Sequence, residues 1–294
     1  MRSEPLRTTS WAANLIKHQV LKQRNQRRSV SAVSERTFEE ILQTHASGEN
    51  QVFLHVGLSD IKSAFDTNPY EFLLSKVEAN FESILAPGFT DYFKMSGVYH
   101  KEHSQPKHGM FSKLFLRDAE YRTDDAIKSI LVDGPYRFEG CVHDDSYHPD
   151  GCFAKLVGDD VLVMDIGVPW ITCSHLHYFE HEFDVPYMTD KTYEGVQCGP
   201  ESACESISQT CGQYVSKYYS WNKPKIQREL ADAGVLEAYD LNGLQVLFFT
   251  LGDVEDVIGD KLRDDPYYLV TLRGGRSGGL GEIAESSKPV SGFL

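Results

Sequence analysis

Short apolar runs alternate with helical stripes along this chain. QVFLHVGL (51–58) is continuous in apolar residues and stops at Gly57 and Ser59, so it reads as a buried strand. Ahead of it, Ser34-Glu35-Arg36-Thr37-Phe38-Glu39-Glu40-Ile41-Leu42 sets a serine before acids and then apolar positions, the pattern of a capped helix start. Beyond it, Phe72, Leu73, Val77 and Phe81 share one face of a helix over 69–83. ILAPGFT (84–90) is a second strand, broken by Pro-Gly, and VLVMDIGV (161–168) a third, flanked by Gly158 and Gly167. GLQVLFFTLG (243–252) is a fourth, and VEDVIGDKLRDD (254–265) a last helix. Residues 96–109, rich in His, Lys and Gly, read as loop, and no internal repeat is visible. Strands and helices taking turns through one body predict an α/β fold: a single domain, residues 35–272, with a central mixed sheet flanked by helices.

The two ends differ from this body. Residues 1–34 carry seven Lys and Arg against the single acid Glu4, with Trp11, Leu15 and Val20 at near-helical spacing. They predict a basic helical arm, on the surface or in contact with a second copy in a homo-oligomer. Residues 273–294 are rich in Gly and Ser and read as a flexible tail. The whole chain has a formal charge of −14, so the part beyond the basic arm is more acidic still. Such a surface argues against nucleic acid as a partner and suits a cationic small molecule. No stretch approaches the roughly 20 apolar residues that span a bilayer, and the N-terminus lacks the apolar core of a secretory signal. No membrane partner and a cytoplasmic location are therefore expected. The six cysteines (Cys141, Cys152, Cys173, Cys198, Cys204 and Cys211) include no C-x-x-C pair and read as free, reduced thiols.

Candidate chemistry concentrates in ITCSHLHYFEHEF (171–183), which has three histidines and two glutamates. On a strand, His175 and His177 would share a face, and with His181 could ligate a metal. On a helical turn, His177 and Glu180 lie three apart on one face, where the carboxylate would orient the imidazole as a general base. H-E-x-x-H is absent, and no strand-to-helix junction carries a G-x-S-x-G elbow, so a Ser–His–Asp hydrolase is poorly supported. G-x-G-x-x-G and Walker A loops are absent too, so dinucleotide or nucleoside-triphosphate chemistry is not indicated.

The order of segments then carries a resemblance. FLHVGLSDI, ILAPGFT, HGMFSKLFLRDAEYRTDDAIKS and GVPWITCSHLHYFEHEFDVPY, in that succession, resemble the aminoglycoside 3-N-acetyltransferase family over roughly residues 50–270. His55-Val56-Gly57-Leu58-Ser59 partly matches the family's His-Ser-Ser-Leu-like loop, and Ala86-Pro87-Gly88-Phe89-Thr90 its Met-Pro-x-Phe-Thr strand. Arg122-Thr123 through Ser129 corresponds to its arginine–serine segment, and Leu176-His177-Tyr178-Phe179-Glu180 to its histidine–glutamate motif.

The resemblance implies transfer of an acetyl group from acetyl-CoA, as co-substrate, to a primary amine of an amino sugar or aminoglycoside-like acceptor. The amine would attack directly, with His177, Glu180 and Thr172 as catalytic residues and no resident metal. Gly57, Leu58, Ser59, Asp60, Ile61 and Ser129 would form the pantetheine-contacting surface. Drug-modifying members carry His-Pro where this chain has Asp125-Ala126, and Gly57 replaces the second serine of the first loop. These departures favour an acceptor from surface-polysaccharide or other secondary metabolism, with antibiotic resistance second. His175, two residues before His177, is the alternative base. A metal-dependent hydrolase built on His175, His177 and His181, and a ligand-binding member without turnover, are the alternative functions. Residues 196–222 fall where acceptor specificity would be set, and read as packing and loop.

Overall fold

Strand β1 (Gln51–Val56) realises the first apolar run, and its alternation organises what lies on either side. Val52 and Leu54 face one layer of the molecule, and Phe53 the other, where its ring meets that of His55. The structure is a computed structural model that describes residues 29–199 and 203–272. Its seven-stranded sheet runs β10-β11-β6-β1-β2-β5-β4. At the centre, β2 (Ser83–Pro87) and β6 (Leu162–Ile166) pair in parallel with β1. Towards one edge, β4 (Tyr121–Arg122) and β5 (Ile130–Asp133) are antiparallel, as are β10 (Glu237–Leu241) and β11 (Leu244–Thr250) towards the other. This is the mixed sheet the sequence predicts. All five residues of β6 are buried, as a strand covered on both faces requires.

Helices α1 (Glu35–Ala46), α2 (Leu58–Phe65) and α3 (Pro69–Glu78) cover one face through Phe38, Leu42, Ile61, Leu73 and Val77. The short α4 (Phe93–Ser96) follows, and α5 (Met110–Phe115) completes that layer with Phe111 and Phe115. On the opposite face lie α6 (Cys152–Gly158), α7 (Leu176–Glu182), α8 (Lys223–Asp232) and α9 (Leu251–Asp264). Their Phe153, Leu176, Phe179, Ile226 and Ile258 pack in one core with Phe53, Val163 and Leu247 of the sheet. The predicted cap is present: Thr37 N–H points at Ser34 Oγ at 3.4 Å.

A second sheet has no counterpart in the sequence reading. It consists of β3 (Val98–His100), β7 (Met188–Cys198) and β8 (Cys204–Tyr214), with β7 and β8 paired antiparallel along their full length. Along β7 only Cys198 is buried, so no apolar alternation betrays the strand. Part of the segment expected to be packing and loop is thus β8, followed by β9 (Tyr219–Trp221), which pairs with β12 (Val270–Leu272). The same hairpin corrects the cysteine reading. Its register sets Cys198 opposite Cys204, and the two form a disulfide, while Cys141, Cys152, Cys173 and Cys211 are free. With no hairpin legible, nothing in the sequence singled out that pair.

Residues 29–34 of the expected helical arm are extended on the body, with Ser31 N–H donating to Asn242 O and Val33 N–H to Ala64 O. Residues 1–28, which hold the basic charges of the arm, and the tail 273–294 lie outside the described residues. Among the described residues no helix is long and apolar enough to cross a membrane.

The turns after β1 and β6 touch. Gly57 N–H donates to Ile166 O at 2.8 Å, and a Cβ on Gly57 would come 2.1 Å from Gly167 O. Gly167 itself has φ +67, where a side chain is strained. The replacement of the family's serine at 57 therefore has a steric reason. Gly57→Ala is expected to lower stability by about 1–3 kcal/mol, the usual scale of overpacking, as a fall in the denaturant midpoint with an unchanged slope.

Candidate functional site

Strand register builds the first part of the site. The parallel pairing of β1 with β6 sets His55 beside Asp165, each interrupting an otherwise apolar run. Asp165 is fully buried and His55 nearly so. His55 Nδ1 lies 3.0 Å from Asp165 Oδ1, and the other carboxylate oxygen accepts from Thr172 N–H at 2.5 Å. Since an ionised carboxylate only accepts, the imidazole proton sits on Nδ1 and the lone pair on Nε2. That nitrogen is 2.8 Å from Ser174 Oγ, at the end of the turn that leads from β6 into α7. Thr172 Oγ1 accepts from Lys223 Nζ at 3.2 Å, and burial lowers the pKa of this lysine.

Helix α7 builds the second part. Residues 176–182 are helical, so His177 and Glu180 share a face, and His177 Nδ1 meets Glu180 Oε2 at 2.9 Å. Glu180 is fully buried and needs donors from every side. It receives them from the Tyr187 hydroxyl at 3.0 Å, Trp221 Nε1 at 2.9 Å and the Tyr214 hydroxyl at 3.0 Å. Burial, reinforced by the Glu180 charge, raises the pKa of both tyrosines, so they stay protonated donors. His177 is left with its Nε2 lone pair, partly exposed, its ring 4.3 Å from that of Trp221.

Both parts open on one cavity of about 280 Å³. His55, Thr172, Ser174, His177 and Trp221 line it together with the apolar Leu54, Val56, Phe89 and Phe111. His108 and Lys128 line it too, and they belong to a cationic group around Asp91. His108 lies 3.1 Å from this carboxylate, Lys94 3.4 Å, Lys128 3.5 Å and Lys107 3.9 Å. Burial alone would raise the Asp91 pKa, but the His108 hydrogen bond and the three lysines hold it well below the usual carboxylate range.

The two candidate bases separate cleanly. His175 is fully buried, with its ring 5.4 Å from that of Phe53 and 4.9 Å from that of Phe153, and neither nitrogen has a hydrogen-bond partner. It belongs to the core, and His177 to the cavity. His181 turns outward to Asp190 at 3.1 Å. The three histidines of the metal-hydrolase alternative therefore do not converge. Among the described residues, the His, Cys, Asp and Glu side chains whose ligand atoms gather within 4.8 Å are His100, Glu102 and His103, outside this cavity.

The residues expected to form the pantetheine surface lie outside this cavity. Gly57, Leu58, Ser59, Asp60 and Ile61 form the start of α2 and do not line the cavity, which reaches only their neighbour Val56. Ile61 is fully buried in the core, because a helix beginning at Leu58 turns it inward. Ser129 is buried as well: its hydroxyl donates to Gly88 O and accepts from Arg122 Nε at 3.0 Å. Arg122 also donates to Gly88 O, Lys101 O and Ser104 O, so this arginine–serine pair clamps the loops behind the cavity. No sequence motif points to Asp165, Ser174, Trp221, Tyr187, Tyr214 or Lys223, which the fold brings to the cavity or to the residues lining it. For His55 and Asp165 a signal was present, since a polar side chain inside a buried strand needs a partner.

A family model described as aminoglycoside 3-N-acetyltransferase matches residues 88–263. No curated protein matches the chain. Among solved structures, the fold is similar to that described as AAC-IIIb binary with CoASH, with TM-score 0.62 and 13% identity over 77% of this chain and 96% of that one. It is similar to aminoglycoside acetyltransferase AAC(3)-Xa, with TM-score 0.61 and 15% identity over 85% of this chain and 98% of that one. AAC-VIa bound to sisomicin gives TM-score 0.57 and 15% identity over 77% of this chain and 97% of that one.

His175 gives the stability of the fold a measurable pH dependence. Burial, with the neighbouring His55, lowers its pKa well below 6.5, so it is neutral when folded and protonates on unfolding. Its contribution to stability is complete above pH about 6.5 and is lost as pH falls, by up to about 1.4 kcal/mol per pH unit. His175→Phe is expected to flatten this part of the stability–pH curve, measured by denaturant unfolding between pH 4.5 and 8.

Proposed function

We propose that this chain, which belongs to the aminoglycoside 3-N-acetyltransferase family, transfers the acetyl group of acetyl-CoA to a primary amine of an amino sugar or aminoglycoside-like acceptor, with His177 as general base. The observation that carries the reading is an imidazole held through Nδ1 by a fully buried carboxylate, with its other nitrogen facing a cavity. A primary amine is mostly protonated at neutral pH and must lose a proton to attack a thioester. His177 Nε2 takes that proton as the amine nitrogen bonds to the carbonyl carbon. The tetrahedral intermediate then expels the CoA sulfur, leaving an amide. Glu180 holds the imidazole in the required tautomer and faces the positive charge that forms on it. Thr172 lines the same cavity, and its N–H and hydroxyl hold Asp165 and Lys223.

Both substrates have a physical counterpart. A relative is described with CoASH bound and another with sisomicin, an aminoglycoside. In this chain three lysines and His108 surround the single carboxylate of Asp91 beside the cavity, a local excess of positive charge suited to the phosphates of CoA. The net charge of −14 provides a favourable long-range field for a polycationic acceptor. A reaction fed by acetyl-CoA fits the cytoplasm.

The test is a thiol-release assay with acetyl-CoA against a panel of amino sugars and aminoglycosides, with metal content measured on the same sample. CoA release that depends on one amine, without stoichiometric metal, is expected; CoA binding without release for any amine overturns the reading. His177→Ala is expected to lower kcat by about two to four orders of magnitude, with the affinity for CoA almost unchanged in calorimetry. Replacing Lys94 and Lys107 together by alanine is expected to raise KM for acetyl-CoA about tenfold, worth about 1.4 kcal/mol, and to weaken its salt dependence.

A further inference from the structure

The acetyl transfer above uses one imidazole–carboxylate pair, His177 with Glu180. The cavity contains a second pair that this reaction leaves idle. Asp165, His55 and Ser174 form an unbroken hydrogen-bonded chain, 3.0 Å from carboxylate to Nδ1 and 2.8 Å from Nε2 to the serine oxygen. The order carboxylate, imidazole, hydroxyl, with the imidazole lone pair directed at the hydroxyl, is the arrangement that activates a serine nucleophile. The sequence offers no elbow motif for it, because its members come from three places: the end of β1, the middle of β6 and the turn before α7.

Three observations mark the chain as more than packing. Asp165 and His55 lie inside the molecule, where the neighbouring strand positions are Val163, Phe53 and Leu54. Two buried polar groups in such a layer add little stability over well-packed apolar residues. The second oxygen of Asp165 is tied to Thr172 N–H, which fixes the carboxylate as it faces the imidazole. Ser174, unlike the other two, is only partly buried, and both it and His55 line the cavity that His177 shares.

We propose that Ser174, His55 and Asp165 act as a second catalytic relay that takes the acyl group of a thioester onto Ser174 and delivers it to water, giving the protein an acyl-CoA thioesterase activity in the absence of amine. The relay rests on the reading above for its thioester substrate. Ser174 Oγ attacks the thioester carbonyl carbon as its proton passes to His55 Nε2. The carbon–sulfur bond breaks, and the sulfur leaves with that proton as free CoA, so that an acetyl ester remains on Ser174. Water then attacks the ester carbonyl and gives a proton to His55. The ester bond breaks, Ser174 Oγ regains the proton from His55, and acetic acid leaves. Asp165 keeps the imidazole oriented and faces its charge in both halves.

The experiment has two arms on the full-length protein. In the first, the protein is treated with diisopropyl fluorophosphate, which needs no CoA site, and the label is mapped by peptide mass spectrometry. In the second, amine-independent CoA release is followed with acetyl-CoA alone, with an acid quench to detect acetyl-protein. Labelling at Ser174 that is lost in His55→Gln, and amine-independent release about 100-fold above that of Ser174→Ala, are the expected results. Ser174→Cys, which keeps a nucleophile of similar size, is expected to restore the acetyl-protein signal if Ser174→Ala loses it. Amine-dependent transfer with no label on Ser174, and with equal amine-independent release in wild type and Ser174→Ala, overturns the relay and leaves it a structural hydrogen-bond chain. Labelling at Ser174 without CoA release for any amine keeps the relay's nucleophile and overturns the acetyl-transfer reading instead.

Discussion

The parallel pairing of β1 with β6 is the constraint on which the rest of the site depends. Its register places His55 against Asp165 on one face of the sheet, and apolar neighbours bury the pair. The same pairing brings the two strand ends so close that Gly57 and Gly167 leave no room for a side chain. From there the turn after β6 crosses above β1, delivering Thr172 to Asp165 and Ser174 to His55 before α7 begins. A crevice at the carboxyl ends of parallel strands is where an open α/β sheet offers a site, because the chain leaves the sheet in different directions there.

Glu180 is the second fixed point, and it ties the site to elements distant in sequence. A fully buried carboxylate is tolerated only when donors surround it. Here the donors come from α7 itself, from Tyr187 before the hairpin, from Tyr214 at the end of β8 and from Trp221 on β9. The hairpin and its following strand are therefore anchored beside His177, and Trp221 lies against its ring.

Charge is divided with equal economy. The protein is acidic as a whole, yet beside the cavity one carboxylate gathers three lysines and a histidine. A local excess of positive charge thus sits within a molecule of net negative charge. In the apolar layer next to it, His175 is kept neutral by burial, so its histidine chemistry is silent although it stands two residues from His177.

Apolar runs determined the central strands, since continuous burial on two sheet faces demands them, and helical stripes located α1, α3 and α9 for the same reason. His177 with Glu180 was legible because a three-residue spacing on a helix is a local relation. The β7–β8 hairpin was not, because its faces are mostly exposed and leave no period in the sequence. Nor was the Cys198–Cys204 bridge, which exists only through that hairpin's register. Ile61 is buried by helix phase and Ser129 is bonded to Arg122 and Gly88, and segment order reveals neither. The burial of His175, and the meeting of His55, Asp165 and Ser174, were decided by tertiary structure alone. Which side of a sheet a residue faces, and what stands opposite it, depend on strands more than a hundred residues apart, and local sequence carries no record of that pairing.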